Sequence, residues 1–271
     1  MTIAELQEDR VVEGVYAVRM KRKLRTKSGA PYLALELVDP TGRVEARVWN
    51  DVELLDGRFA EGDAVRVLAR VEKFRDRLQL DVRSLESADV DPQTLTPALR
   101  RDRDELGGFL EFLVAELVHP GLRATVEATL ADRDLASFPA THDDHHSYAG
   151  GLLEHTVGVA TLARETAQLH PRLRSDLLLA AALVHDVGRT VELGPGPAFS
   201  LSAEGRLLGH VHLGLRLIEG HAEGVNAAQL AELLHCVAVH HDARGARTAE
   251  AAVLYHANQL DAVAATRPIP E

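Results

Sequence analysis

Six side chains in one stretch of this sequence carry metal-ligating groups: His155, the pair His185-Asp186, His210 and the pair His240-His241. Imidazole nitrogens and carboxylate oxygens are the donors that divalent Mn, Fe, Mg, Co, Ni or Zn accept. All 14 histidines of the chain lie between His119 and His256, so this chemistry is confined to one part of the molecule. A lone histidine in a helical protein is usually a core or surface residue, and His119, His170, His212, His221, His235 and His256 are read that way. The other six differ in arrangement. Asp186 follows the apolar run 177–184 and precedes Gly188, which places it just past a helix end. His240-His241 precede Asp242-Ala243-Arg244-Gly245, another helix end. Within a helix two neighbours diverge by about 100°, whereas at an end the chain can bend and aim both at one point.

The elements that must position these groups are helical. Apolar residues recur at three- and four-residue spacings over 106–118, 122–130, 152–169, 177–184, 205–219, 227–240 and 249–264. The loop Gly194-Pro195-Gly196-Pro197 is one that no helix crosses. Ligands on separate helices of such an all-α bundle converge on its interior. The expected helical domain spans 104–271.

Residues 11–86 read differently. Segments 11–20, 32–38, 44–49, 65–71 and 78–82 carry the alternation of strands, with Asp39-Pro40-Thr41-Gly42 and Phe74–Arg77 as hairpin turns and 51–59 as a short helix. Five short strands with a small helical insert suggest a closed barrel, the OB-fold first among candidates. Between the two parts, 87–103 loses periodicity and is broken at Asp91-Pro92 and Thr96-Pro97, the signature of a linker.

Composition sets the outer bounds. The chain has 271 residues, enough for about two domains. One cysteine, Cys236, excludes a disulfide framework and a cysteine-based zinc site. The N-terminal segment has acidic residues and no apolar run, and the longest apolar stretches are too short for a bilayer, so no membrane association and a cytoplasmic, reducing location are expected. The net charge of −11 argues against a uniformly basic coat, yet Arg19, Lys21, Arg22, Lys23, Arg25 and Lys27 stand together with no acid among them. Such a strip beside aromatic platforms is how proteins hold single-stranded nucleic acid. The candidate stacking residues are Tyr32, Trp49 and Phe74, and Arg47, Arg75 and Arg77 are further candidate phosphate contacts. The bland alternatives are a solvated charged face and a core Trp49.

The ordered segments Gly150-Gly151-Leu152-Leu153-Glu154-His155-Thr156, Leu183-Val184-His185-Asp186-Val187-Gly188-Arg189, Gly209-His210 and His240-His241 resemble the HD superfamily of metal-dependent phosphohydrolases. With His145-His146-Ser147-Tyr148 and the preceding barrel, the chain is similar to the bacterial 3′→5′ exoribonucleases of the YhaM type, which join an OB-fold to an HD domain. The resemblance implies two divalent metal ions, one held by His155, His185 and Asp186, the other by Asp186, His210, His240 and His241. It assigns catalytic roles to Asp186, Arg189, His145 and His146, and implies single-stranded nucleic acid, RNA above DNA, as the partner. An HD phosphohydrolase acting on a small nucleotide, and a non-catalytic nucleic-acid-binding protein, are the rival readings; a homo-oligomer is left open.

Two positions depart from the family pattern. Arg189 stands where Lys is frequent, keeping the charge but changing its geometry. In Ala257-Asn258-Gln259-Leu260-Asp261-Ala262 the usual metal-ligating aspartate is replaced by Asn258. Asn258 is expected to face the metals and complete the first site. Asp261, within about one helical turn, is expected to be an adjacent carboxylate or the substitute ligand.

Overall fold

In the computed structural model, residues 1–96, 101–131, 133–142, 145–194 and 196–266 are described. Parts of three expected segments lie outside them: 97–100 of the linker, Pro195 of the 194–197 loop, and 267–271 at the end of the helical domain. The chain divides into two compact units near residue 98.

The N-terminal unit is a closed barrel of β1 (Val11–Arg25), β2 (Pro31–Asp39), β3 (Gly42–Val48), β4 (Ala64–Phe74) and β5 (Arg77–Ser87), in the order β1-β2-β3-β5-β4. All neighbours are antiparallel except β3 and β5. A short helix, α1 (Val52–Asp56), connects β3 to β4. This is the OB-fold architecture. Its interior follows from side-chain alternation: Leu33, Leu35 and Leu37 on β2, Val44, Ala46 and Val48 on β3, and Val65, Val67, Ala69 and Val71 on β4 are all buried. The β4–β5 hairpin turns on Arg75 and Asp76, both with positive φ (50° and 64°), as two-residue hairpins require.

Strand β1 runs past its expected end at Met20. Its tail pairs along β2 as far as Arg25 opposite Pro31. The residues from Arg22 to Arg25 are exposed, so no apolar alternation marks them in the sequence. The pairing shifts register between Val18 and Met20, and at that bulge Arg19 is buried and paired with Glu36 at 3.3 Å.

The second unit is helical: α2 (Arg103–Ala115), α3 (Pro120–Ala131), α4 (Gly151–Leu169), α5 (Ser175–Val184), α6 (Arg189–Glu192), α7 (Ala203–Gly220), α8 (Ala227–Ala238) and α9 (Ala249–Thr266). Every residue of α5 from Leu177 onward is buried, and α5 packs against α2, α3, α4, α8 and α9. A helix apolar all round is a central one. Three features differ from the periodicity. Helix α6 was not anticipated, because one turn is too short to show a period. Helix α8 stops at Ala238, so His240 and His241 lie beyond it. Helix α7 is broken at Gly209 (φ 69°, ψ 161°), a conformation open to glycine. Among the described residues no helix is long and apolar enough to cross a membrane.

The N-terminal end of α5 is fixed by Glu250 of α9. Glu250 Oε1 accepts from the Arg174 backbone N–H at 2.9 Å and from its Nε at 3.3 Å, and Arg174 also pairs with Glu232. Burial opposes the Glu250 charge, but the Arg174 hydrogen bonds outweigh it and hold the carboxyl below its ordinary 4.5. Its stabilising effect is therefore present above pH 4.5 and lost as pH falls. Glu250→Gln is expected to destabilise the protein by about 1–3 kcal/mol at pH 7. In denaturant titrations the gap to the natural chain should narrow as the pH is taken towards 4.

Candidate metal centre and nucleic-acid interface

The six sequence-marked groups come from ends and breaks of helices. His155 sits in the second turn of α4, His185 caps α5, and Asp186 lies in the turn to α6. His210 follows the Gly209 break, and His240 and His241 follow α8. His155, His185 and His240 are fully buried and Asp186 is 2% exposed, while His241 lies at the exposed edge.

Each buried ring is held through one nitrogen. His185 Nδ1 donates to the Ala182 carbonyl at 2.8 Å, His240 Nδ1 to the Val237 carbonyl at 2.6 Å, and His155 Nδ1 to Asp261 Oδ2 at 2.7 Å. A neutral imidazole bonded this way carries its proton on Nδ1 and leaves the Nε2 lone pair for a metal. Those Nε2 atoms converge. His155 and His185 Nε2 are 3.3 Å apart, and Asp186 Oδ1 is 3.2 Å from His210 Nε2 and 3.3 Å from His240 Nε2. His210 and His241 Nε2 are 3.1 Å apart.

Asp186 Oδ1 and His240 Nε2 are buried and make no hydrogen bond. Buried polar atoms are normally bonded; lone pairs facing one another across such distances are the arrangement a cation satisfies. Two donor sets result, His155–His185–Asp186 and Asp186–His210–His240–His241, each with its ligand atoms within 4.8 Å of one another and with Asp186 in common. The electrostatics agree. Burial pushes His185 down to about 3, so its ring is the neutral, ligating form at pH 7. Burial would raise Asp186, but Arg189 and the surrounding histidines outweigh it and hold the carboxyl well below the usual range.

The late-helix residues separate. Asn258 is buried beside the second set, its amide donating to the His240 carbonyl at 3.2 Å and lying 3.5 Å from His241 Nδ1. The carboxylate against His155 is Asp261, the alternative to Asn258 in the first set, and it also accepts from His146 Nε2 at 3.0 Å. Three residues along α9 leave the two side chains about 60° apart around the axis and about 4.5 Å apart along it, enough for one to reach His240 and the other His155. With His146 and His155, Asp261 forms a third set of candidate donors. His146 Nδ1 bonds Tyr148 Oη at 2.9 Å, Tyr148 donates to Glu154 Oε2 at 2.5 Å, and the His145 ring lies 5.0 Å from that of His155. So His145 and His146 stand beside His155, away from the His210–His241 end.

Arg189 is committed inside the protein. Its Nη1 donates to Glu192 Oε2 at 2.6 Å and its Nε lies 3.7 Å from Asp186 Oδ2. Glu192, which sequence reasoning missed, is 7% exposed. Its only signal was a carboxylate between apolar Val191 and Leu193, a place where a charge needs a partner.

On the barrel the basic strip is dispersed. Arg19 is buried. Lys21 donates to the Phe59 carbonyl at 2.7 Å and pairs with Asp56 at 3.2 Å, and Lys23 pairs with Glu53 and Asp56. Arg25 donates to the Gly29 carbonyl, and Arg22, Arg25 and Lys27 are exposed. The acids that pair with Lys21 and Lys23 lie on α1, distant in sequence and adjacent in the fold. Tyr32 stacks on Trp49 with ring centroids 4.8 Å apart. Trp49 is 46% exposed and Phe74 57%, so neither is core. Phe74 and Arg75 line a depression of about 370 Å³ together with Arg47, Arg77 and Glu45, the last paired with Arg47 at 2.7 Å.

Comparison with known proteins agrees with both units. The family described as "HD domain" matches residues 152–263, and "OB-fold nucleic acid binding domain" matches residues 15–88. A shorter match, to a "putative helicase" family, covers 121–172. The chain is 29% identical over 251 residues to a 3'-5' exoribonuclease YhaM from a Geobacillus species, covering 87% of this chain and 77% of that protein. It is 26% identical over 267 residues to the Bacillus subtilis 3'-5' exoribonuclease YhaM, covering 93% and 84%. Among solved structures, the second OB-fold domain of replication protein A from Methanococcus maripaludis is 23% identical, covering 33% of this chain and 95% of that one with a TM-score of 0.28. With an HD domain and the donor groups assembled around Asp186, the helical unit is a divalent-metal-binding one, and the chain as a whole joins an OB-fold nucleic-acid-binding domain to an HD domain.

Proposed function

We propose that this protein is a metal-dependent phosphodiesterase that shortens single-stranded nucleic acid, RNA above DNA, from its 3′ end, the helical unit cutting and the barrel holding the strand. The observation that carries the reading is the buried Asp186 carboxylate shared by two sets of histidine donors. Relatives named 3'-5' exoribonuclease over most of the chain support the substrate class. A pair of divalent ions, when bound, supplies Lewis acidity and charge neutralisation at a phosphodiester. His155, His185 and Asp186 would hold one, and Asp186, His210, His240 and His241 the other. The protein's own part is to aim the rings, which the Nδ1 bonds of His155, His185 and His240 accomplish, while burial keeps His185 and His241 neutral. Asp261 and His146 serve His155 from behind, Asn258 lies against the His240–His241 turn, and His145 flanks the His155 ring. A reducing, cytoplasmic setting fits the single buried thiol of Cys236.

For strand binding, Tyr32–Trp49 and Phe74 offer faces for bases, and Arg22, Arg25, Lys27, Arg47, Arg75 and Arg77 offer charge for phosphates. Lys21 and Lys23, already neutralised by Asp56 and Glu53, contribute less.

Labelled single-stranded RNA with Mn²⁺ is expected to give a ladder of shortened products, abolished by a chelator and restored by added Mn²⁺. Hydrolysis of free nucleotides without shortening of the strand would replace this reading with the small-nucleotide one, and binding without turnover with the non-catalytic one. Losing a metal's outer partner commonly costs 10–100-fold, so Asp186→Ala, which removes the shared ligand, should lower turnover by at least about 100-fold while circular dichroism shows the helices intact.

Salt dependence tests the barrel. Converting Arg22, Arg25 and Lys27 together to Ala should flatten the slope of log affinity against log salt by about 2, at about 0.7 per phosphate contact. The Lys21→Ala, Lys23→Ala pair should leave the slope nearly unchanged. Trp49→Ala should weaken binding by about 1–3 kcal/mol per stacked base.

A further inference from the structure

The carboxylate of Glu192 is buried in the helical unit and fully engaged by two groups of the metal centre. Its Oε1 accepts from the backbone N–H of His210 at 3.0 Å and lies 3.5 Å from that residue's Nδ1. Its Oε2 accepts from Arg189 Nη1 at 2.6 Å, and Arg189 Nε reaches towards Asp186. The backbone is arranged for these contacts. The break at Gly209 starts a new helical segment at His210, whose first N–H groups have no carbonyl partner within the helix. Glu192 Oε1 takes one of them from another element, as a capping side chain does. The turn holding Asp186 is pressed against this point: a Cβ on Gly188 would lie 2.0 Å from the His210 carbonyl oxygen. Displacing Glu192 therefore moves the start of α7's second segment relative to Asp186.

We propose that Glu192 is a positioning residue of the metal centre: it caps the segment that begins at His210, orients the His210 ring towards Asp186, and through Arg189 ties that ring to the bridging carboxylate. One carboxylate thus sets two members of the Asp186–His210–His240–His241 set without ligating a metal itself. The geometry also gives Arg189 a role in holding Asp186 and Glu192 together, which a lysine ammonium, lacking the planar fork, would fill less well. Burial opposes a charge on Glu192, but the hydrogen bond from His210 and the charge of Arg189 draw its carboxyl down to about 2.

The proposal rests on the cluster holding metal, and the experiment separates the two. Apo-protein is titrated with Mn²⁺, free ion being read by electron paramagnetic resonance, for the natural chain, Glu192→Gln, Glu192→Asp and His240→Ala, with thermal unfolding of each. Glu192→Gln keeps the shape but cannot accept from both His210 and Arg189 as an anion. It is expected to bind Mn²⁺ about 10–100-fold more weakly, with Glu192→Asp recovering part of the loss, in protein that still unfolds cooperatively. His240→Ala should lose a bound ion outright. If His240→Ala loses Mn²⁺ while Glu192→Gln binds it as the natural chain does, the positioning role is refuted and Glu192 is structural only. If neither variant changes Mn²⁺ binding, the cluster does not hold the ion and the proposal falls with that reading.

Discussion

A negative charge at the centre of the helical unit is the constraint around which that unit is arranged. An isolated buried carboxylate is costly enough that it would ordinarily take up a proton. Asp186 stays ionised because Arg189 and the histidines surround it on several sides. Burial keeps His185 neutral, and the Nδ1 bonds of His185 and His240 turn their Nε2 atoms towards the site. The result is a buried carboxylate ringed by ligand atoms, an arrangement that a divalent ion completes. A donor set of this kind is poorly satisfied by the protein alone, and its shape makes sense as one half of a complex with metal.

Holding such groups together demands that the backbone bring them in from ends, since a regular helix spreads neighbouring side chains apart. His185 and Asp186 lie where α5 gives way to α6, His240 and His241 where α8 has stopped, and His210 where Gly209 interrupts α7. Helix α5, packed on five neighbours, fixes the depth of the site, and Glu250 pins its far end. The barrel is simpler: a closed sheet with its interior filled by alternating Val and Leu, and its chemistry on the outside.

Much of this was legible in the residues. Alternating strands between short turns define a barrel, and the periodic run 177–184 with His185-Asp186 at its end is a buried helix presenting ligands. What escaped was non-local. Arg19 to Lys27 read as an open cationic strip because Glu36, Glu53 and Asp56, which pair with Arg19, Lys21 and Lys23, come later in the chain. Asn258 and Asp261 sit one turn apart on one helix, and only the packing of α9 shows which faces His240 and which faces His155. Glu192 was hidden for a similar reason: its partners are a backbone N–H exposed by a helix break and an arginine one turn away, and neither leaves a pattern in composition.

The burial of the two donor sets is unequal, and this bears on time scales. The residues of the His155–His185–Asp186 set are all buried, under a helix with no solvent-facing side along most of its length, whereas His210 and His241 stand at an accessible edge. If both sets are loaded as proposed, an ion in the inner set would be shielded by buried side chains, and core openings are rare events that approach the free energy of global unfolding. The outer ion would then be the more readily exchanged one. Under a chelator the protein should therefore pass through a long-lived half-loaded form, so that what a purified sample contains reflects its handling history as much as its equilibrium affinities.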